Sequence, residues 1–410
     1  MKKVDIVFTG SLKQIIGPMG TMKRIIKNKE YFESRGYEVT VFTNDSIPGS
    51  SFGVPTTSGY KKSPIKGKIK SLYKRLLKKS YLLDRFDLAR TERPAKQLAD
   101  YYLSLNRKVD IVEFHSKVEC WNYLHKRTDR DPKVVLFQHT DGLPFEMIYT
   151  YYPRLKGSRY MKGRLKQHVE MLNECANLVF IANKGRENFL NAFPEISEKK
   201  TTLIINGIDD LSEEQKSEMT KTREQLNDKK PYRLCCVGTI NGRKGQRIVI
   251  EALHRADSAM KSMIHVTFVG EGQERTELEE LVKAYGLTEN VEFAGAVPNE
   301  IVYKNLSRAN IFILMSYNEG LPISIIEAMR SGLAIISTRI AGIPELVRDG
   351  YNGVLLAPDI NQLTAVFNQM NKYDWRAMGM HSLERFKNEF TFERMRKEFC
   401  DMYDNVIQKA

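Results

Sequence analysis

The chain has 410 residues, a net charge of +14, 42% hydrophobic residues and 28% charged residues. That length exceeds what one hydrophobic core usually fills, so two domains of roughly 200 residues are expected, and the balanced composition excludes a disordered or fibrous chain. No uncharged apolar run approaches the roughly 20 residues of a membrane-spanning helix, and Met1-Lys2-Lys3-Val4-Asp5-Ile6 runs into a strand instead of a signal peptide, so a cytosolic placement is expected. Five cysteines (Cys120, Cys175, Cys235, Cys236 and Cys400) without paired spacing read as reduced core thiols.

Charge divides the chain. Residues 1–200 carry 38 basic against 21 acidic residues, whereas residues 201–410 carry 26 against 29. The first half is therefore expected to face an anionic partner.

Apolar runs of five or six residues open the chain in βαβ rhythm: Val4–Phe8, a helix through Lys23–Ser34, then Glu38–Phe42. Strands near Asp110–Phe114, Val134–Phe137, Leu178–Ile181 and Thr202–Ile205 continue it and predict a doubly wound parallel sheet over residues 1–205. The loop after the first strand contains Gly17-Pro18-Met19-Gly20, which also suits an ordinary turn. His139, directly after Val134–Phe137, lies at a carboxyl strand end and should face a cleft, and His115 after Asp110–Phe114 is a second candidate.

The rhythm breaks at Asn206-Gly207-Ile208-Asp209-Asp210 and a charge-dense stretch to Pro231, read as a hinge and linker over 206–231. A second βα series follows over 232–385, with strands at Arg233–Val237, Ile264–Val269, Asn290–Phe293, Ile311–Leu314, Ala334–Ser337 and Gly353–Leu356. The remainder is helical, and 386–410 is expected to pack back on the first domain. The fold class predicted is α/β, two Rossmann-like domains facing a cleft built from βα loops.

In the second half, strand Ile311–Leu314 leads through Ser316 into Glu319-Gly320-Leu321-Pro322, which opens a helix through Glu327. Proline suits a helix start, and free N–H groups there favour a diphosphate that Gly320 lets approach closely. Glu319 and Glu327 could accept hydrogen bonds from sugar or ribose hydroxyls. Lys244 is read as opening the helix after Arg233–Val237, where its ammonium can reach that diphosphate, with Arg243 beside it.

Glu319 through Gly332, followed by Ile336-Ser337-Thr338 and Gly342-Ile343-Pro344-Glu345, closely resembles glycosyltransferase family 4, and in particular bacterial capsular and exopolysaccharide members. Asn206–Asp209, Val237-Gly238 with Lys244-Gly245, Val269–Gly272 and Phe293–Gly295 fall in that family's order. The resemblance implies the GT-B fold and transfer with retention of anomeric configuration. It also implies that Glu327 holds the donor ribose, and that Glu319 with the Gly320, Leu321 and Pro322 backbone holds the transferred sugar. Gly17 is implied to sit against donor phosphate or acceptor, and His139 to contact the donor sugar. The family places arginine directly after the glycine matching Gly238. This chain has Thr239 there, and Arg243 is the candidate substitute.

The implied substrates are a nucleotide-sugar, a UDP-sugar at family level, and a glycan or lipid-linked acceptor, with no cofactor. Asp129-Arg130-Asp131 has the form of a metal-binding Asp-x-Asp but precedes its strand, so it is read as a turn and no metal is predicted. A basic amphipathic segment within 61–83 and a cluster at Arg154, Lys156, Arg159, Lys162, Arg164 and Lys166 predict peripheral contact with an anionic membrane. No motif accompanies this charge to indicate nucleic acid. Two rival readings stand: a nucleotide-sugar epimerase, which would isomerise a donor without an acceptor, and a non-catalytic module binding anionic polymer or membrane.

Overall fold

The computed structural model describes residues 1–13, 19–50, 80–225 and 231–408. Among the described residues twelve strands form two six-stranded parallel sheets. The first contains β1 (Lys2–Val7), β2 (Tyr37–Phe42), β3 (Ile111–Phe114), β4 (Lys133–Gln138), β5 (Asn177–Phe180) and β6 (Thr201–Leu203), in the order β2-β1-β3-β4-β5-β6. The second contains β7 (Tyr232–Val237), β8 (Ile264–Val269), β9 (Val291–Gly295), β10 (Ile311–Leu314), β11 (Ala334–Thr338) and β12 (Gly353–Leu356), in the order β12-β11-β10-β7-β8-β9. Near-continuous apolar runs such as Ile311–Leu314, entirely buried, are what a parallel sheet covered on both faces demands. This is the GT-B architecture.

Each sheet reverses its winding once, between β1 and β3 in the first and between β7 and β10 in the second. Strands diverge at such a reversal, and their carboxyl-end loops leave a crevice. In the second sheet those loops are 238–245 and 315–322, and in the first they include His115, with His139 one strand further.

Strand alternation separates two cores in the first domain. Val4 and Ile6 face one side with Val135, Phe137 and Val179, while Val7, Val112, Phe114 and Leu136 face the other. The final helix, Phe392–Gln408, closes the first of these cores with Phe392, Met395, Phe399, Met402, Tyr403 and Val406. Each such buried side chain contributes roughly 1.5–3 kcal/mol. The chain thus crosses between domains twice, and the crossings touch: Ile208 N–H donates to Phe390 O (3.0 Å) and Phe392 N–H donates to Ile208 O (2.9 Å).

Three expectations need correction. The first helix is two, Gly20–Lys27 and Lys29–Ser34, because Asn28 leaves the helical region and its side-chain amide donates to Arg24 O. The 206–231 stretch contains a helix, Glu213–Glu224, begun by a capping box between Ser212 and Gln215 and docked through Glu218 to Lys304 (2.8 Å). It buries no residue, so its sequence shows no apolar period. The second domain extends past 385, since the Trp375–Glu389 helix packs on β11 and Phe386 and Phe390 are buried in the core of the second sheet. No helix among the described residues is long and apolar enough to cross a membrane.

Candidate active site

The loop after β7 contains Gly242–Lys244, a 3-10 turn in which the Asn241 side chain accepts from Lys244 N–H (3.3 Å). Lys244 is therefore not on the following helix, which begins at Gln246 after Gly245. Gly245 adopts φ +69°, and a Cβ there would lie 2.0 Å from Met315 O. Only glycine lets this turn press against the end of β10. That contact brings both basic side chains to the β10 loop.

Glu319 receives them. Its Oε1 accepts from Lys244 Nζ (2.7 Å) and Ser316 Oγ (2.7 Å) and lies 3.1 Å from Arg243 Nη1, in surroundings that leave the residue 7% exposed. Arg243 also donates to Asn318 O (2.6 Å). Two cations therefore share one carboxylate, leaving local positive charge with little water to screen it. Thr239 contributes a carbonyl that accepts from Gln246, whereas the Arg243 side chain reaches the carboxylate.

Gly320 joins the domains. A Cβ there would lie 2.5 Å from His139 O, so a side chain would push the β10 loop off the end of β4. Beside this contact, Glu345 of the second domain accepts from Asn183 N–H and Lys184 N–H (both 2.8 Å), capping a first-domain helix, Asn183–Ala192. Leu321 O accepts from the amide of the hinge residue Asn206 (3.2 Å), and Leu321 and Pro322 are buried at the start of the Ile323–Arg330 helix.

Glu327 lies within the Ile323–Arg330 helix. Burial raises its carboxyl above the usual range, and Arg330 and Arg24 oppose that rise. Arg24 comes from the Gly20–Lys27 helix of the first domain and lies 3.5 Å from Asp209 Oδ2, while Arg330 donates to Asp209 O (2.9 Å). Hinge, first domain and Glu327 thus meet in one cluster.

His139 is exposed as a residue, but its Nε2 lies 2.8 Å from His115 Nδ1. His115 is buried and stacks on Phe137 with ring centroids 4.5 Å apart. Burial lowers the pKa of His115 to about 3, keeping it neutral.

The structure therefore brings together Lys244, Arg243, Glu319, Gly320, Leu321, Pro322 and, across the interface, His139, with Glu327 beside Arg24. Gly17 lies outside the described residues, as do residues 61–79. Asp129 is occupied by Lys108 (2.8 Å) and by Asp131 N–H, as a turn requires. In the second basic cluster, Arg154 pairs with buried Asp84 (2.7 Å) and Arg164 with buried Glu92 (2.6 Å), so these two are structural. Lys156, Arg159, Lys162 and Lys166 remain exposed. Sequence reasoning missed Ser316, Arg24 and Arg330. A polar residue two past a buried strand was the available signal for Ser316, and none marked the arginines.

Residues 24–210 match the family model described as Glycosyltransferase Family 4, and residues 217–373 match the one described as Glycosyl transferases group 1. The chain is 27% identical over 243 residues to uncharacterized glycosyltransferase MJ1069 of Methanocaldococcus jannaschii, covering 58% of this chain and 61% of that protein. It is 29% identical over 182 residues to amylovoran biosynthesis glycosyltransferase AmsK of Erwinia amylovora, covering 42% and 44%. The matched region is thus under two thirds of either relative. Among solved structures, Anabaena Alr3699/HepE in complex with UDP superposes with TM-score 0.65 at 16% identity over 98% of this chain and all of that one. Sucrose-phosphate synthase from Thermosynechococcus elongatus superposes with TM-score 0.70 at 17% identity over 99% and 100%.

Proposed function

The chain belongs to glycosyltransferase family 4, and from that premise we propose that it moves a sugar from a nucleotide-diphosphate donor to a glycan or lipid-linked acceptor, retaining anomeric configuration, in surface polysaccharide synthesis. The observation that carries this reading is the convergence of Lys244, Arg243 and Ser316 on Glu319 at the winding reversal of the second sheet, opposite His139. Two cations against one carboxylate suit a diphosphate, which they would hold in place of a divalent ion. Glu327 would accept from ribose hydroxyls at the helix start. The acceptor hydroxyl attacks the anomeric carbon on the face the diphosphate leaves, the sugar–phosphate C–O bond breaks, and the acceptor proton passes to a departing phosphate oxygen. Lys244 and Arg243 stabilise the negative charge that builds there, and closure of the domains excludes water.

A UDP-sugar is favoured because Alr3699/HepE is described in complex with UDP and with UDP-glucose, and the polysaccharide assignment draws on AmsK. Membrane contact is supported by exposed Leu82, Phe86, Met147, Tyr151 and Leu165, set around a small core of Leu88, Phe145, Leu155 and Met161 near the four exposed cations. Such a mixture of apolar and basic groups suits an anionic bilayer surface.

The test is a thermal-shift screen of nucleoside diphosphates and their sugars, followed by transfer assays with lipid-linked acceptors. A true donor at 100 times its Kd stabilises by about 2.7 kcal/mol. Absence of stabilisation by every nucleotide-sugar overturns the reading, and isomerisation of the hit without acceptor replaces it with the epimerase.

A further inference from the structure

Behind His139 runs a line of polar side chains through the apolar interior of the first domain. His139 Nε2 lies 2.8 Å from His115 Nδ1, His115 Nε2 lies 2.7 Å from Glu113 Oε1, and Glu113 Oε2 accepts from Tyr403 Oη at 2.8 Å. Glu113 and Tyr403 are fully buried and His115 is 7% exposed. Ile6 and Val135 flank Glu113 on the neighbouring strands, Phe137 stacks on His115, and the Phe8 ring meets His115 edge-on. Tyr403 belongs to the final helix, so the crossing helix supplies one end of the line and the cleft the other. Among the described residues nothing pairs with His139 Nδ1.

Proton bookkeeping allows two directions. With a proton on Glu113, its Oε1–H donates to His115 Nε2, His115 Nδ1–H donates to His139 Nε2, and His139 presents Nδ1–H outward. With Glu113 ionised both histidine bonds reverse: His115 Nε2–H donates to Glu113, His139 Nε2–H donates to His115, and His139 Nδ1 becomes a bare acceptor. Tyr403 donates to Oε2 in both. One proton at Glu113 therefore decides whether His139 offers a donor or an acceptor at the exposed end.

We propose that Tyr403, Glu113 and His115 are positioning residues that set the tautomer of His139, holding its outward Nδ1 as a hydrogen-bond donor toward a sugar oxygen. Its relevance to transfer rests on the reading of His139 as facing the donor; the tautomer itself does not. The groups facing Glu113 favour the protonated direction. His115 and Tyr403 are its partners, Tyr37 and Cys400 lie behind Tyr403, the neighbouring-strand positions are apolar, and no cation is among them. Burial accordingly raises the Glu113 carboxyl to about 8, with the Tyr403 hydrogen bond opposing.

The experiment is nitrogen NMR of the full chain labelled with 15N-histidine, with His139→Ala assigning the resonance. At pH 7 the His139 ring should be the Nδ1–H tautomer, and it should switch to Nε2–H as pH rises through about 8. Glu113→Gln, whose amide donates to His115 while its oxygen accepts from Tyr403, should keep Nδ1–H at every pH. Tyr403→Phe should move the switch to higher pH, because it removes a bond that favours the carboxylate. An Nε2–H tautomer at pH 7, or a switch unchanged in Glu113→Gln, overturns the proposal. If His139→Ala binds the donor as tightly as the wild type, the reading of His139 as a donor contact fails while the tautomer result stands on its own.

Discussion

Replacing Lys244 by alanine tests the charge arithmetic of the second-domain loops. Lys244 Nζ lies 2.7 Å from Glu319 Oε1, and both side chains are about nine-tenths buried. Removing one partner from a buried pair costs about 3–5 kcal/mol when the other is left alone. Glu319 keeps Arg243 and Ser316 on the same oxygen, so the loss should be that of one charged hydrogen bond, about 2 kcal/mol, or about 4–8 °C in the melting of a domain of this size. Binding should suffer more selectively. The variant lacks a cation for the diphosphate and leaves Glu319 less neutralised, and the two effects act in the same direction. UDP affinity measured by calorimetry should fall at least 10-fold, the equivalent of about 1.4 kcal/mol, while uridine binding stays within about twofold. Equal losses for UDP and uridine, or unchanged UDP affinity, would refute the assignment of Lys244 to phosphate.

Gly245→Ala should destabilise by more than the roughly 1–2 kcal/mol of a left-handed backbone alone, because its Cβ meets Met315 O; unchanged thermal melting would contradict the close approach. Phe399→Ala should cost about 3–5 kcal/mol in urea unfolding even though it lies eleven residues from the end of the chain, since it is fully buried against Phe137. His168 is 5% exposed, and burial lowers its pKa to about 3. As pH falls the unfolded chain takes up this proton first, near 6.5, so the contribution of neutral His168 is complete above that pH and is lost progressively toward 3. Between pH 7 and 5 the stability advantage of wild type over His168→Leu should shrink by about 2 kcal/mol, and parallel pH profiles of the two proteins would show that the imidazole is not the cause.

Strands were the most legible part of the chain. Ile264–Val269, Ile311–Leu314 and Gly353–Leu356 stand in the structure with the bounds expected: Ile311–Leu314 is apolar and buried on both faces, as a covered parallel strand must be, while Ile264–Val269 alternates with the half-buried His265 and Thr267. The Glu213–Glu224 helix was illegible for the complementary reason: it is held by caps and ion pairs, and no apolar stripe records its period. Within the site, the residues of the Glu319 loop and Lys244 were readable because they are close in sequence to strand ends. Lys244 was nevertheless misplaced on a helix, since only the left-handed Gly245 shows that the turn ends before the helix begins. Partners from distant segments left no local trace. Arg24 reaches Glu327 across the domains, and Tyr403 reaches Glu113 from 290 positions away. Glu113 did leave a mark, as a carboxylate inside the apolar run Ile111–Phe114, a position that calls for a dedicated partner.

The paired crossings at Ile208 and Phe390–Phe392 bear on how this protein can be taken apart. A fragment ending at residue 205 would contain all six strands of the first sheet yet strip from the core around Val4, Ile6, Phe137 and Val179 the side chains of the Phe392–Gln408 helix, among them Phe399, which stacks on Phe137. Such a fragment should aggregate, and adding residues 390–408 as a separate peptide or through a short fused connection should rescue its solubility. The unit of folding on this side is therefore discontinuous in sequence, and during synthesis the first sheet emerges long before residues 392–408 are available to complete its core.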